Sequence, residues 1–120
     1  MFDHLGLRVT DLEASIRFYT TALAPLGHGL ASRDETSAGV GPKGEPALWL
    51  YASTAGKREG VHVAFRAPDR AAVDAFHARG LGAGGKDNGA PGLRSDYSPT
   101  YYAAFLVDPD GNNVEAVFTG

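Results

Sequence analysis

His4, His62 and Glu115 are the side chains whose types and placement point most directly to chemistry in this chain. The segment DHLGLRVTDLEASIRFYTTAL, residues 3–23, realigns with VHVAFRAPDRAAVDAFHARGL, residues 61–81, under a shift of 58 positions. That shift superposes His4 on His62, Arg8 on Arg66, Asp11 on Asp69, Ala14 on Ala72, Phe18 on Phe76 and Leu23 on Leu81. Two similar halves that each carry a histidine at the same place point to a site shared between them. Near the end of the chain Val114, Ala116 and Phe118 form an apolar alternation, so Glu115 faces the other way, in the same sense as the two histidines. Two neutral imidazoles and one carboxylate suit a single borderline divalent ion, Fe, Mn, Ni, Co or Zn, and leave positions open for water or substrate. An open site is a catalytic pattern. Glu115 is also the candidate catalytic group, because a carboxylate beside a Lewis acid can accept a proton from carbon or water. A lone histidine on such a strand is ordinarily a hydrogen-bonded core residue; the repeat is what turns the reading toward ligation.

The elements that must position these groups follow from the hydrophobic pattern. Leu5, Leu7 and Val9 alternate with His4, Gly6 and Arg8, which predicts a half-buried strand over residues 2–9. Thr10 and Glu13 fit a capping box, and Leu12, Ile16, Tyr19, Leu23 and Leu26 predict an amphipathic helix closed by Pro25 and Gly27. Two short strands are expected between Gly27 and Pro46, and a further strand over Ala47 to Ser53. The second half begins at Val61 with the same alternation, followed by a helix from Pro68 and Asp69 to Gly80. Residues 80–99 read as a loop with at most one short strand. Tyr101 to Val107, the DPDG turn at residues 108–111 and Asn113 to Phe118 then form a hairpin. Each half thus reads strand, helix, strands, and two such halves pairing their sheets would make a cup with helices outside. The fold class is α+β, in one domain spanning residues 1–120, with module 1 at about 1–56 and module 2 at about 57–120.

Composition narrows the partners. A 60-residue unit buries too little apolar surface to be comfortable alone, so the halves are expected to depend on each other. The chain is 43% hydrophobic and 21% charged with a net charge of −3, without a basic cluster, which disfavours nucleic acid and anionic membrane. With no cysteine, any metal must bind through imidazole, carboxylate or water. No apolar run approaches the roughly 20 residues that span a bilayer, and the start of the chain enters a structured pattern at once, so the cytoplasm is the expected location.

Other residues are candidates for substrate contact. Arg8 and Arg66 share the parity of the cupped face and would neutralise an anion, against a plainer role as paired charges at strand ends. Trp49, Tyr51, Tyr97, Tyr101 and Tyr102 would wall a pocket, although strand aromatics are more often core. Parity puts Tyr102 nearer the metal side than Tyr101. Lys86 and Arg94 would reach inward if the glycine-rich segment is a lid, and an ordinary surface connection is the simpler account. Gly6 and Ala64 would leave room above the ion, or else serve close strand packing. GLGAGGK at residues 80–86 imitates the start of a phosphate-binding loop, but Asp87 stands where Ser or Thr is needed and the segment follows a helix. His28 and His77 read as surface or packing residues.

On DHLGLRVTDLEASIRFYTTAL, GVHVAFRA and FLVDPDGNNVEAV, the chain resembles the vicinal oxygen chelate superfamily, which includes glyoxalase I, extradiol dioxygenases, fosfomycin-resistance thiol transferases and bleomycin-resistance proteins. The resemblance covers essentially the whole length. It implies paired βαβββ modules forming a cupped mixed sheet, one divalent metal on His4, His62 and Glu115, a small oxygenated substrate chelated through two oxygens, and a homodimer whose sites can draw on both chains. Glyoxalase I proteins carry a fourth ligand on the last strand of the first module; aligning ALWLYAST with NNVEAVFT puts Leu50 there, opposite Glu115, and leucine cannot bind metal. Dioxygenases of the superfamily are usually longer. Fosfomycin enzymes share the length, yet Gly6 stands where they place a threonine. The leading expectation is a metal-dependent lyase, isomerase or dioxygenase. The alternatives are a fosfomycin-type thiol transferase or a dimer that sequesters a drug or metabolite without chemistry.

Overall fold

The computed structural model describes residues 2–53 and 60–120, so the module boundary expected near residue 56 lies outside the described residues. In chain order the elements are β1 (Leu5–Val9), α1 (Leu12–Leu23) with a short 3₁₀ turn at Ala24–Leu26, β2 (His28–Arg33), β3 (Ser37–Pro42) and β4 (Leu48–Ala52). The second half repeats them as β5 (His62–Arg66), α2 (Arg70–Gly82), β6 (Lys86–Leu93), β7 (Tyr102–Val107) and β8 (Asn113–Phe118). The strands form two four-stranded mixed sheets, ordered β1-β4-β3-β2 and β5-β8-β7-β6, and in each the first pair is parallel and the others antiparallel. The fold is α+β, as expected, with one sheet per module. Strands β1 and β5 are each an edge of their own sheet.

Asp11 caps α1 by accepting a hydrogen bond from the Ala14 amide at 3.1 Å, and Asp69 caps α2 through the Ala72 amide at 2.8 Å. The cap of α1 was expected at Thr10. Thr10 is committed elsewhere: its amide and its hydroxyl both donate to the Asp110 carboxylate at 2.8 Å. Helix α2 continues past the expected stop at Gly80, because that glycine is a packing residue. A Cβ there would lie 2.2 Å from Leu106 Cδ1. The helix ends before Gly84, which has φ +99°.

Helix α1 covers the first sheet, α2 covers the second, and the helices pack on each other, so one core is continuous through both halves. Phe18 and Phe76, superposed by the repeat, are both fully buried in it, as are Tyr19, Leu50, Leu106 and Val114. The modules are also tied by polar contacts around the DPDG turn. Tyr19 on α1 donates its phenol to Asp108, and burial together with that carboxylate raises its pKa. Asp108 in turn accepts from the amides of Asp110 and Asn112 and from the Asn112 side chain. Asp110 takes the two bonds from Thr10 and one from Ser15 Oγ at 3.3 Å. The turn of module 2 therefore clamps the β1–α1 corner of module 1.

The largest departure from the sequence reading is β6, an eight-residue strand where a loop with at most one short strand was expected. Its KDNGAPGL sequence lacks alternation, and its pairing with β7 shifts register twice, around Gly89, which has φ +152°. The ladder with β7 holds it; propensity does not.

Candidate functional site

The candidate site is built on the face of module 2 that points away from its helix. On β8 the side chains of Val114 and Ala116 are fully buried toward α2, so Glu115 between them projects to the opposite face, where it lies between Ala64 of β5 and Phe105 of β7. Glu115 is only 2% exposed. A carboxylate that far from water needs partners, and it has one on each oxygen. His62 Nε2 lies 3.0 Å from Oε1, and the Tyr101 hydroxyl donates to Oε2.

His62 opens β5, and its Nδ1 lies 3.2 Å from the backbone carbonyl of Asn113, its register partner on β8. A carbonyl only accepts, so Nδ1 carries the hydrogen and Nε2 of the neutral ring is a lone pair aimed at the carboxylate. Two acceptors 3.0 Å apart need a shared proton or a cation between them. An imidazole whose other nitrogen donates to a backbone carbonyl is also the usual outer shell of a metal-bound histidine. By donor type and burial, His62 and Glu115 fit two positions of a divalent-metal site.

Tyr101 was not placed here by the sequence reading, which favoured Tyr102. The register explains the reversal: Ala104 pairs with Ala116, both fully buried, so even positions of β7 face the helix. Tyr102 accordingly donates to Asp74 of α2 at 2.6 Å and lies under the Arg70 guanidinium, 4.9 Å from its ring centroid. Tyr101 precedes β7 with the parity of Phe105. Burial, and after it the Glu115 carboxylate, push its phenol up to about 12. Counting parity back from Glu115 through the paired register would have found it.

Around this group stand Phe105, 6.4 Å from the His62 ring, and Tyr97, edge-on to Tyr101 at 5.0 Å. The Arg94 guanidinium sits over Phe105 at 5.4 Å, donating to the carbonyls of Gly92 and Ala90. Lys86 is exposed at the start of β6, opposite Val107. Arg66 is exposed at the end of β5, opposite Val117.

Module 1 carries different chemistry on the matching face. His4 stands just before β1, its side chain 55% exposed and its Nδ1 2.8 Å from Asp3. Among the described residues no three His, Asp or Glu side chains gather as a metal cage; His62 and Glu115 are together, and His4 is not with them. Gly6 pairs with Trp49 as Ala64 pairs with Glu115, so the residue matching Glu115 is Trp49. The alignment that put Leu50 there is off by one: Leu50 is fully buried toward α1. Trp49 stacks with Tyr51 at 6.4 Å and 17°, over Gly39, where a Cβ would come within 3.2 Å of the indole. Gly6 makes room for the Tyr51 ring, 2.9 Å from where its Cβ would be. Arg8, exposed, pairs with Tyr51 along this ledge.

This fold agrees with that of the chain's relatives. The family model of the Glyoxalase/Bleomycin resistance protein/Dioxygenase superfamily matches residues 1–116, and the chain belongs to that superfamily. Among solved structures, a glyoxalase/bleomycin resistance protein from Albidiferax ferrireducens is 30% identical over 98% of both chains, with a TM-score of 0.84. A glyoxalase/bleomycin resistance protein/dioxygenase from Nocardioides is 26% identical over 98% of this chain and 82% of its own, with a TM-score of 0.66. A glutamate-to-glutamine variant of glyoxalase I from Zea mays is 26% identical, with 95% of this chain covering 45% of that one and a TM-score of 0.71. No curated protein matches the chain. Among the described residues no helix is long and apolar enough to cross a membrane.

Proposed function

We propose that the chain is a divalent-metal-dependent enzyme acting on a small oxygenated substrate, with His62 and Glu115 of one subunit and His4 of a second copy holding the ion. The observation that carries this reading is the buried Glu115 carboxylate with His62 Nε2 at 3.0 Å and Tyr101 on its other oxygen. Because His4 lies outside that group in its own chain, the homodimer is part of the proposal, as is the cytoplasmic location expected from the sequence. The bound ion, Fe, Mn, Ni, Co or Zn, would supply Lewis-acid polarisation of substrate oxygens.

The protein's own groups do the rest. Tyr101 keeps Oε2 occupied and so directs Oε1 toward the ion and the substrate. Glu115, itself buried, accepts the proton released from substrate carbon or water and returns it. Arg94, fixed over Phe105, offers a positive charge to an anionic substrate group. The reaction class is lyase, isomerase or dioxygenase. Metal analysis of the protein expressed with each ion supplied tests the reading: about one ion per chain is expected in the native protein, and none in His62→Ala. A native protein that takes up no ion, or a His62→Ala variant with unchanged content, contradicts it.

A second reading is sequestration of a drug or metabolite without turnover, favoured by the Trp49–Tyr51 ledge at the place where a ligand would match Glu115. Tight ligand binding that a chelator leaves unchanged would select it.

A further inference from the structure

The molecule has a further concavity apart from the His62, Glu115 and Tyr101 group. It is a cavity of about 200 Å³ in the crevice between the modules, lined by Leu5, Leu23, Val40, Leu48, Val63 and Phe65. Apart from Leu23 of α1, these are strand residues with the parity of the helix-facing core, opposite to that of Glu115. His4 and Ala64, which have the opposite parity, also line it, so the cavity borders the His4 end of β1, while none of His62, Tyr101 and Glu115 lies in its wall. Phe2, Pro42 and Ala47, all exposed, frame its mouth.

One group in that wall is out of balance. His28 Nδ1 is buried without a hydrogen-bond partner, the one such side-chain atom among the described residues. A buried polar atom left bare costs free energy, and in a native fold it is ordinarily met by protein, ordered water or ligand. Burial also lowers the pKa of His28, so the ring is neutral near pH 7, and Nδ1 is a donor or an acceptor according to tautomer.

We propose that this crevice is a binding site for a small uncharged aryl alcohol or phenol, whose ring fills the apolar volume and whose hydroxyl pairs with His28 Nδ1. The size sets one ring: a cavity of about 150 Å³ accepts benzene, so about 200 Å³ holds a ring with a short substituent. A hydroxyl meets either tautomer, since it both donates and accepts. A carboxylate is excluded twice, by the apolar lining and by Asp3 at the rim.

The test titrates p-cresol, toluene and benzoate into the native protein and follows backbone amides by NMR. Saturable shifts on β1, β2 and β5 with p-cresol are expected, at about tenfold tighter binding than toluene, the value of one hydrogen bond in affinity, with no saturation by benzoate. In His28→Leu the preference for p-cresol over toluene should fall to about one. In Ala47→Trp, an exposed position at the mouth, both ligands should be lost while the spectrum stays folded. The proposal is overturned if p-cresol gives no saturable shift, if its shifts gather around Tyr101 and Glu115 instead, if Ala47→Trp still binds, or if His28→Leu keeps the tenfold preference.

Discussion

The two modules share a backbone plan and differ in what their outward faces carry. On module 2, His62, Glu115 and Tyr101 form a compact polar group around a buried carboxylate. On module 1, the positions matching Glu115 and Ala64 are Trp49 and Gly6, and they build an aromatic ledge. Register and helix packing survive between the halves because they are set by the alternation facing the helices, which both halves keep. The opposite face is not bound by that packing, so one copy can hold chemistry and the other a wall.

The largest expected effect tests the part the halves have in common. Phe18→Ala and Phe76→Ala each remove a fully buried ring at equivalent places, and each should cost about 3–5 kcal/mol of stability, measured by denaturant unfolding. A difference of several kcal/mol between them would mean that the halves do not share the core equally. Next comes the part in which they differ. Glu115→Gln should lower metal affinity by about 100-fold or more, since ligand loss exceeds the roughly 10–100-fold typical of outer-shell changes, whereas Trp49→Ala should leave metal affinity unchanged and weaken ligand binding only. Metal titration of both variants checks this. The clamp between modules is worth less: Asp110→Ala frees three donors and should cost about 1–3 kcal/mol without altering metal content.

The smallest effect is a pH dependence. Tyr101 has its pKa raised from 10.0 to about 12 by burial and by Glu115, so its folded form holds the proton more tightly than the unfolded chain. That contribution to stability is fully present below pH 10 and is lost as pH rises through about 12. Ultraviolet titration should show a late-ionising tyrosine that Tyr101→Phe removes. A variant spectrum identical to the native one would detach Tyr101 from Glu115.

How far the sequence reading reached follows the same division. The repeat made both modules, their helices and the facing of His62 and Glu115 legible, because each rests on periodicity against a buried layer. Tyr101 was ranked behind Tyr102 because the residue lies just before its strand, where parity must be carried across the hairpin from Glu115. Trp49 was misaligned by one residue because ALWLYAST offers apolar side chains on both faces and no contrast to fix the register. Strand β6 was read as a loop with at most one short strand because glycine and proline conceal a segment whose order comes from β7. The place of His4 was not legible at all, since parity says which face a residue takes and nothing about whether two faces in one chain meet.

That last point is the most direct test of the account. His4→Ala and His62→Ala chains, each metal-free alone, are unfolded together, refolded as a mixture and assayed for bound metal. If each site draws His4 from the partner, random pairing makes half the dimers mixed, each with one intact site of two, and about a quarter of the native metal content returns. No return of metal in mixtures that do contain mixed dimers would place the histidines' partnership within one chain and contradict the shared site.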